Sequence, residues 1–122
     1  MNNILLKSER LHSYGAIRRL FKEGQSGFVY PFRYMFYVED ATQPEVAILF
    51  STPKKFHKRA NKRNLLRRRM REAYRLNKEQ IIPTASPKRI ELAIVYSSKS
   101  IHDYKTIENG VKKVLQQVVE SL

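Results

Sequence analysis

KKFHKRANKRNLLRRRMREAYRLNK, residues 54–78, holds 12 of the chain's 24 lysines and arginines and a single acid, Glu72. Its net charge is +11, in a protein of 122 residues whose formal charge is +13. Clustered like charge repels itself, so a field of this size is costly on an isolated surface and favourable beside a polyanion. A helix over 60–78, turning about 100° per residue, sorts the stretch into two flanks. Arg63, Arg67, Lys78, Arg71, Asn64, Arg75 and Arg68 then project within an arc of roughly 140°. Leu65, Leu76, Ala73, Leu66 and Met70 occupy the other side. Arg69 sits at the edge of that apolar arc, its stem over apolar surface and its head reaching solvent. The stretch reads as an amphipathic helix gripping a sheet with one flank and offering guanidiniums with the other.

Like charges at i,i+4 (Arg63/Arg67, Arg67/Arg71, Arg71/Arg75) disfavour the isolated helix by roughly 0.2–0.5 kcal/mol each. Packing of Leu66, Met70 and Ala73 must offset that repulsion, and bound phosphates would remove it. Arginine outnumbers lysine in the helix, which suits bidentate phosphate contacts and stacking beneath bases. A solvated basic face serving only solubility is the plainer alternative. The one-sided placement and the near-absence of acids argue against it. A helix for the DNA major groove is a second alternative, unsupported by any helix-turn-helix partner or zinc spacing. RNA is the preferred polyanion.

Outside this stretch the pattern is that of one small domain over residues 1–122, large enough for a real core. A first helix is expected over 14–22, capped by Ser13, with Ala16, Ile17, Leu20 and Phe21 at helical spacing and Gly24 at its stop. Arg18, Arg19 and Lys22 face away from that stripe. Phe32, Tyr34, Phe36 and Val38 alternate with Arg33, Met35 and Tyr37 along a strand, and 27–30 forms a short extra one. Residues 40–44 read as a turn. Residues 45–52 form a strand whose apolar run Val46-Ala47-Ile48-Leu49-Phe50 implies cover on both faces. Pro83 and Pro87 mark a loop over 81–89, and 90–96 is the clearest buried strand. Asp103 caps a last helix with Ile107, Val111, Val114, Leu115 and Val118 as its core stripe. These elements make an α+β fold, helices covering part of a small sheet.

The chain has no cysteine, which removes disulfides, thiolate nucleophiles and cysteine metal sites together. The opening MNNILLKSERL lacks the long apolar run of a signal peptide, and no window approaches a membrane span. A cytoplasmic protein with an anionic partner, no membrane and no obligate protein partner is expected. His12, His57 and His102 have no convincing acid partner in sequence and read as surface or RNA-contact residues. Asp40 and Asp103 are better explained as turn and cap than as a two-metal carboxylate pair. Hydrolysing RNA unaided requires a positioned base, a proton donor and stabilisation of the phosphorane. Catalysis is therefore not expected in this polypeptide.

The run Arg63-Asn64-Leu65-Leu66-Arg67-Arg68-Arg69-Met70-Arg71 resembles the RNR signature of the bacterial ribonuclease P protein component, R-N-x-x-K/R-R-x-x-R. In that family a Lys-Lys pair precedes the first arginine by nine and eight residues, the offsets of Lys54 and Lys55. Glu72-Ala73-Tyr74-Arg75 is similar to the usual continuation, and the order of elements agrees over most of the chain. The resemblance implies an α-β-β-β-α-β-α sandwich with a left-handed crossover through the basic helix. It implies an accessory subunit that binds a catalytic RNA and the 5′ leader of precursor tRNA, the RNA holding the Mg²⁺ that activates water. Cleavage would leave a 5′ phosphate on the tRNA and a 3′ hydroxyl on the leader. RNA contact is expected from Lys54, Lys55, Lys58, Arg59, Lys62, Arg63, Asn64, Arg67, Arg68, Arg71 and Arg75. A leader-binding cleft between the first helix and the sheet is expected from Ile17, Phe21, Phe32, Tyr34 and Phe36. Ile17 stands where the family commonly has Phe, and Phe21 keeps the second aromatic. Pro53 replaces the small residue usual before Lys-Lys, the second strand lacks a glycine often found there, and Ser98 lies near a position that is often Arg. A ribosomal-type RNA-binding protein, needing no cleft, and an independent RNA hydrolase, active without RNA, are the rival classes.

Overall fold

The computed structural model describes residues 14–81 and 87–122. The opening residues, with His12 and Ser13, and the loop position Pro83 lie outside these. The element order is α1 (Tyr14–Glu23), β1 (Gln25–Val29), β2 (Phe32–Asp40), β3 (Glu45–Ser51), α2 (Ala60–Asn77), β4 (Lys88–Tyr96) and α3 (Tyr104–Glu120), with a 3₁₀ turn at Lys78–Gln80 after α2. This is the expected α-β-β-β-α-β-α order, with the expected basic helix against a mixed sheet.

The sheet order is β1-β2-β4-β3. β2 pairs antiparallel with β1 and β4, whereas β3 runs parallel to β4. β4 is thus central and shielded above and below, which is why Ile90 to Ile94 are all buried. A parallel neighbour demands a long crossover, and α2 supplies it by carrying the chain from edge strand β3 back to the middle.

Strand alternation then divides the molecule. Phe32, Tyr34, Phe36, Ile48, Leu92 and Ile94 point to one face and join Leu66, Met70, Ala73 and Tyr74 of α2 with the whole expected stripe of α3 in the main core. Asp103 caps α3 by accepting from Thr106 N at 2.9 Å. On the other face Leu20, Ala47 and Ala93 make a smaller cluster, with Ile17, Met35, Tyr37 and Leu49 against it. α1 covers only this second face. The chain leaves it so close to β2 that only glycine fits at position 24, where a Cβ would lie 2.4 Å from Leu20 O and 2.9 Å from Phe36 O, both backbone atoms.

Arg19 does not face away from the sheet as expected. Its guanidinium hydrogen-bonds the carboxylate of Glu91, which is fully buried in β4, and stacks over Tyr37 with 4.7 Å to the ring centroid. The Glu91 hydrogen bond raises the Arg19 pKa further. Arg89 completes the cluster, 3.6 Å from Glu91 and 3.1 Å from Glu45. A buried carboxylate is tolerated only when paired, and these two arginines supply that pairing.

Candidate nucleic-acid interface

α2 begins with no acid in its first turn and no side-chain cap at Arg59. The positive end of the helix dipole therefore faces further positive charge. Arg63 turns back instead, donating to His57 O at 3.1 Å and Lys58 O at 2.6 Å. Arg67 donates to Thr52 Oγ1 at 2.9 Å and, more weakly, to Asn64 Oδ1 at 3.4 Å. Arg68 is exposed, and Arg71 is half-buried with its Nε lacking any hydrogen-bond partner. Asn61, Asn64, Arg67, Arg68 and Arg71 line an open concavity of about 410 Å³. Among the described residues, no carboxylate forms an ion pair with Arg63, Arg67, Arg68 or Arg71.

Lys54, Lys55, Lys58 and Arg59 are exposed on the segment leading into α2, and Lys62 is half-buried. That segment is held from behind. Phe56 N and His57 N both donate to Pro53 O, and His57 Nε2 donates to Ser98 O at 2.8 Å. His57 is buried beneath Tyr96, so it is a packing residue and not the surface group expected.

The helix is rotated relative to the expected wheel. Its buried residues are Leu66, Met70, Ala73 and Tyr74, while Leu76 is exposed and Leu65 half-buried. Tyr74 lies between Arg63 and Arg67 on the wheel and turns that sector inward, which is why those two guanidiniums reach protein acceptors. Arg69 ends on His102 O at 2.5 Å instead of in solvent. Lys78 is buried beyond the helix end. Arg75 is tied to Glu72, 2.5 and 3.0 Å away, and the same hydrogen bond holds the Glu72 carboxyl below the usual carboxylate range.

The expected cleft set does not form one surface. Phe32, Tyr34 and Phe36 are buried at 0%, 5% and 3% exposure in the main core, on the sheet face opposite α1. The alternation places them on one strand face, as expected, whereas the cleft role implied by the family resemblance does not fit that face, which is core. Ile17 packs against the α1-side cluster, and Phe21 is 52% exposed on α1. Open surface on the α1 side comes from the alternate residues. Phe28, Arg33 and Val95 align across β1, β2 and β4 and, with Lys55, Phe56, Pro53 and Ser97, line a groove of about 280 Å³. Lys55 Nζ stands 5.0 Å over the Phe56 ring at its rim. The sequence did carry a signal for this groove: the mixed polar and apolar face of β2 is the one that suits a wet surface, and its face of Phe32, Tyr34, Phe36 and Val38 suits a core.

His102 Nε2 meets the Tyr30 hydroxyl, not a carboxylate. The described residues contain no group of three or more His, Asp or Glu able to hold a metal ion, and no helix long and apolar enough to cross a membrane.

A model of the ribonuclease P family matches residues 5–119. The ribonuclease P protein component of Porphyromonas gingivalis is 34% identical, spanning 93% of this chain and 85% of its own. That of Chlorobium phaeobacteroides is 30% identical over 95% of this chain and 88% of its own. The solved ribonuclease P protein of Thermotoga maritima superposes with a TM-score of 0.72 at 25% identity, covering 89% of this chain and 96% of that one. The Staphylococcus aureus protein shares the fold, with a TM-score of 0.69 at 22% identity over 92% of this chain and 96% of its own. The chain belongs to the bacterial ribonuclease P protein component family and has that family's general role as an RNA-binding, non-catalytic accessory of an endonuclease.

Proposed function

We propose that this chain binds the catalytic RNA of ribonuclease P through α2 and its leading segment, and the 5′ leader of precursor tRNA in the α1-side groove. Removal of the leader, in the cytoplasm, is then carried out by the RNA. The observation that carries the reading is the row of guanidiniums free of carboxylates on α2, since cations left unneutralised by the protein are available to phosphate oxygens. Lys54, Lys55, Lys58, Arg59, Lys62, Arg63, Asn64, Arg67, Arg68 and Arg71 form this surface. Arg75 contributes at its margin because Glu72 already neutralises it.

The groove supports a single strand by the same reasoning. Phe28 and Phe56 offer ring faces, and Arg33 and Lys55 offer charge, the combination that holds unpaired nucleotides with little regard to sequence. The leader set is accordingly Phe28, Arg33, Lys55, Phe56 and Val95, with Phe21 and Ile17 on the flanking helix.

The donor set does not fit a protein-held Mg²⁺. Hard divalent cations take carboxylate and carbonyl oxygens, and the RNA-facing surface presents almost solely cations. Mg²⁺ belongs to the RNA in this reading, and no step is assigned to protein-bound metal. The protein's contribution is to neutralise phosphate repulsion and position the leader.

Processing of precursor tRNA by protein alone, RNA alone and the mixture, across a Mg²⁺ titration, tests the reading. Cleavage at low Mg²⁺ by the mixture only is expected. Turnover by the protein alone would overturn the assignment of chemistry to RNA.

A further inference from the structure

Three aromatic rings among the described residues leave more than half their surface in solvent: Phe21 at 52%, Phe28 at 56% and Tyr30 at 57%. Phe28 and Tyr30 stand together where β1 turns into β2, their ring centroids 6.5 Å apart at 60°. Phe28 belongs to the groove; Tyr30 lies beyond its end. Tyr30 does not hang free. Its hydroxyl is 3.1 Å from Ser98 Oγ and 3.1 Å from His102 Nε2, and the His102 ring meets it edge-on at 5.3 Å and 82°. His102 is in turn fixed by its own backbone, N donating to Tyr96 Oη at 3.1 Å and O accepting from Arg69.

Exposed rings are costly in water and are normally mobile, yet this one is clamped from two sides. A ring immobilised before binding loses little entropy when another plane stacks on it. The surroundings select the occupant. Arg33 beside Phe28 and Lys99 beside Ser98 are exposed, and the chain carries +13 overall, so an anionic strand with flat bases fits where a neutral apolar partner does not.

We propose that Phe28 and Tyr30 form a stacking ledge for unpaired nucleobases of the RNA strand that leaves the groove, with Ser98 and His102 holding Tyr30 in place. The ledge rests on the leader reading above and extends it around the end of the sheet, to nucleotides farther from the cleavage site than those in the groove.

Holoenzyme reconstituted with parent, Tyr30→Ala, Phe28→Ala or Tyr30→Trp protein is titrated with mature tRNA and with precursors of increasing leader length. Leaders carrying 2-aminopurine at successive positions report stacking directly. Parent affinity rises with leader length, and Tyr30→Ala loses about tenfold on the longer leaders and nothing on mature tRNA, the size expected of one lost base stack. Tyr30→Trp, which keeps a ring but loses the clamping hydroxyl, retains part of the parent affinity, and quenching at the outer leader positions is full in the parent, weaker in Tyr30→Trp and absent in Tyr30→Ala. Equal losses on every substrate, mature tRNA included, would make Tyr30 a fold residue and overturn the ledge. Parent-like affinity and quenching in Tyr30→Ala, on leaders that the parent binds better, would overturn it also while leaving the groove reading intact. A parent indifferent to leader length would remove the groove reading and the ledge together.

Discussion

Replacing Arg68 and Arg71 together by Ala separates RNA binding from folding, because neither guanidinium makes a bond that the fold uses. Arg68 is exposed, and Arg71 carries a buried Nε without an acceptor. Their removal relieves the like-charge neighbours Arg67/Arg71, Arg71/Arg75 and Arg68/Arg71, each worth about 0.2–0.5 kcal/mol. Loss of two aliphatic stems and of the Arg68/Glu72 attraction at i,i+4 works against that gain, so urea unfolding is expected to stay within about 0.5 kcal/mol of the parent. Binding moves the other way. Each lost phosphate contact flattens the dependence of log affinity on log salt by about 0.7–0.9, so two flatten it by about 1.4–1.8. The gap between variant and parent then narrows about tenfold between 50 and 200 mM salt. Filter binding to the catalytic RNA over that range, paired with urea titrations of the free protein, gives both quantities. Arg63→Ala is the contrast: its bonds to the His57 and Lys58 carbonyls hold the leading segment, and their loss costs stability by about 1–2 kcal/mol. A double variant that keeps the parent's salt slope would refute the assignment of Arg68 and Arg71 to phosphate, whatever its stability.

Glu91→Gln leaves Arg19 facing a neutral amide at a fully buried site. With Arg19 itself about one-third exposed, stability falls by about 1.5–3 kcal/mol in urea, less than for a pair sealed from water. Thr52→Asp gives Arg67 a carboxylate in place of a hydroxyl acceptor; the free protein unfolds at about the parent's urea midpoint, and the salt slope of RNA binding falls by about 0.7–0.9. An unchanged slope would show that Arg67 meets no phosphate. The Asp40, Glu72 and Asp103 carboxyls are all held below their ordinary values, chiefly by hydrogen bonds from Lys88, Arg75 and Thr106. Each binds its proton more weakly folded than unfolded, so its contribution is complete above the ordinary carboxylate range and is lost as pH falls through the lowered values; the urea midpoint drops below about pH 4. Burial, assisted by Glu108, pushes the Tyr104 hydroxyl up to about 12. Its contribution is complete below the usual tyrosine value and is lost as pH rises through 12, a loss that Tyr104→Phe removes from an alkaline unfolding series.

Local pattern located nearly every element. The apolar run of β4, the Asp103 cap and the α3 stripe are short-range signals, and each appears where its spacing places it. What short-range pattern does not encode is which face of a strand meets which helix. Phe32, Tyr34 and Phe36 share a face on any reading, but that face becomes core only because α2 and α3, distant in sequence, pack on that side of the sheet. The rotation of α2 has a similar origin: Tyr74 looks amphipathic in isolation and becomes core by meeting Phe50 edge-on at 5.9 Å. Glu91 was hidden for the opposite reason. A single acid inside an apolar strand reads as a solvent-facing position, and its partner Arg19 lies 72 residues away in sequence.

The anchors of the cationic surface show how it stays cationic. The loop and helix that carry it are cross-tied by Arg63 to two carbonyls, Arg67 to a hydroxyl, Arg69 to a carbonyl and His57 to a carbonyl. Every one of these acceptors is neutral. Carboxylates would have tied the same groups more strongly, because charge-assisted bonds are roughly twice as strong as neutral ones. They would also have cancelled the field that attracts a polyanion, as Glu72 does for Arg75. Neutral anchors fix geometry while leaving the full charge on each guanidinium. The acids are placed instead on the α1 side, where Glu39, Glu45 and Glu91 pair with Arg19 and Arg89 to dock a helix. One face of the sheet thus uses opposite charge to dock α1, and the layer on its other face keeps its guanidinium charge uncompensated.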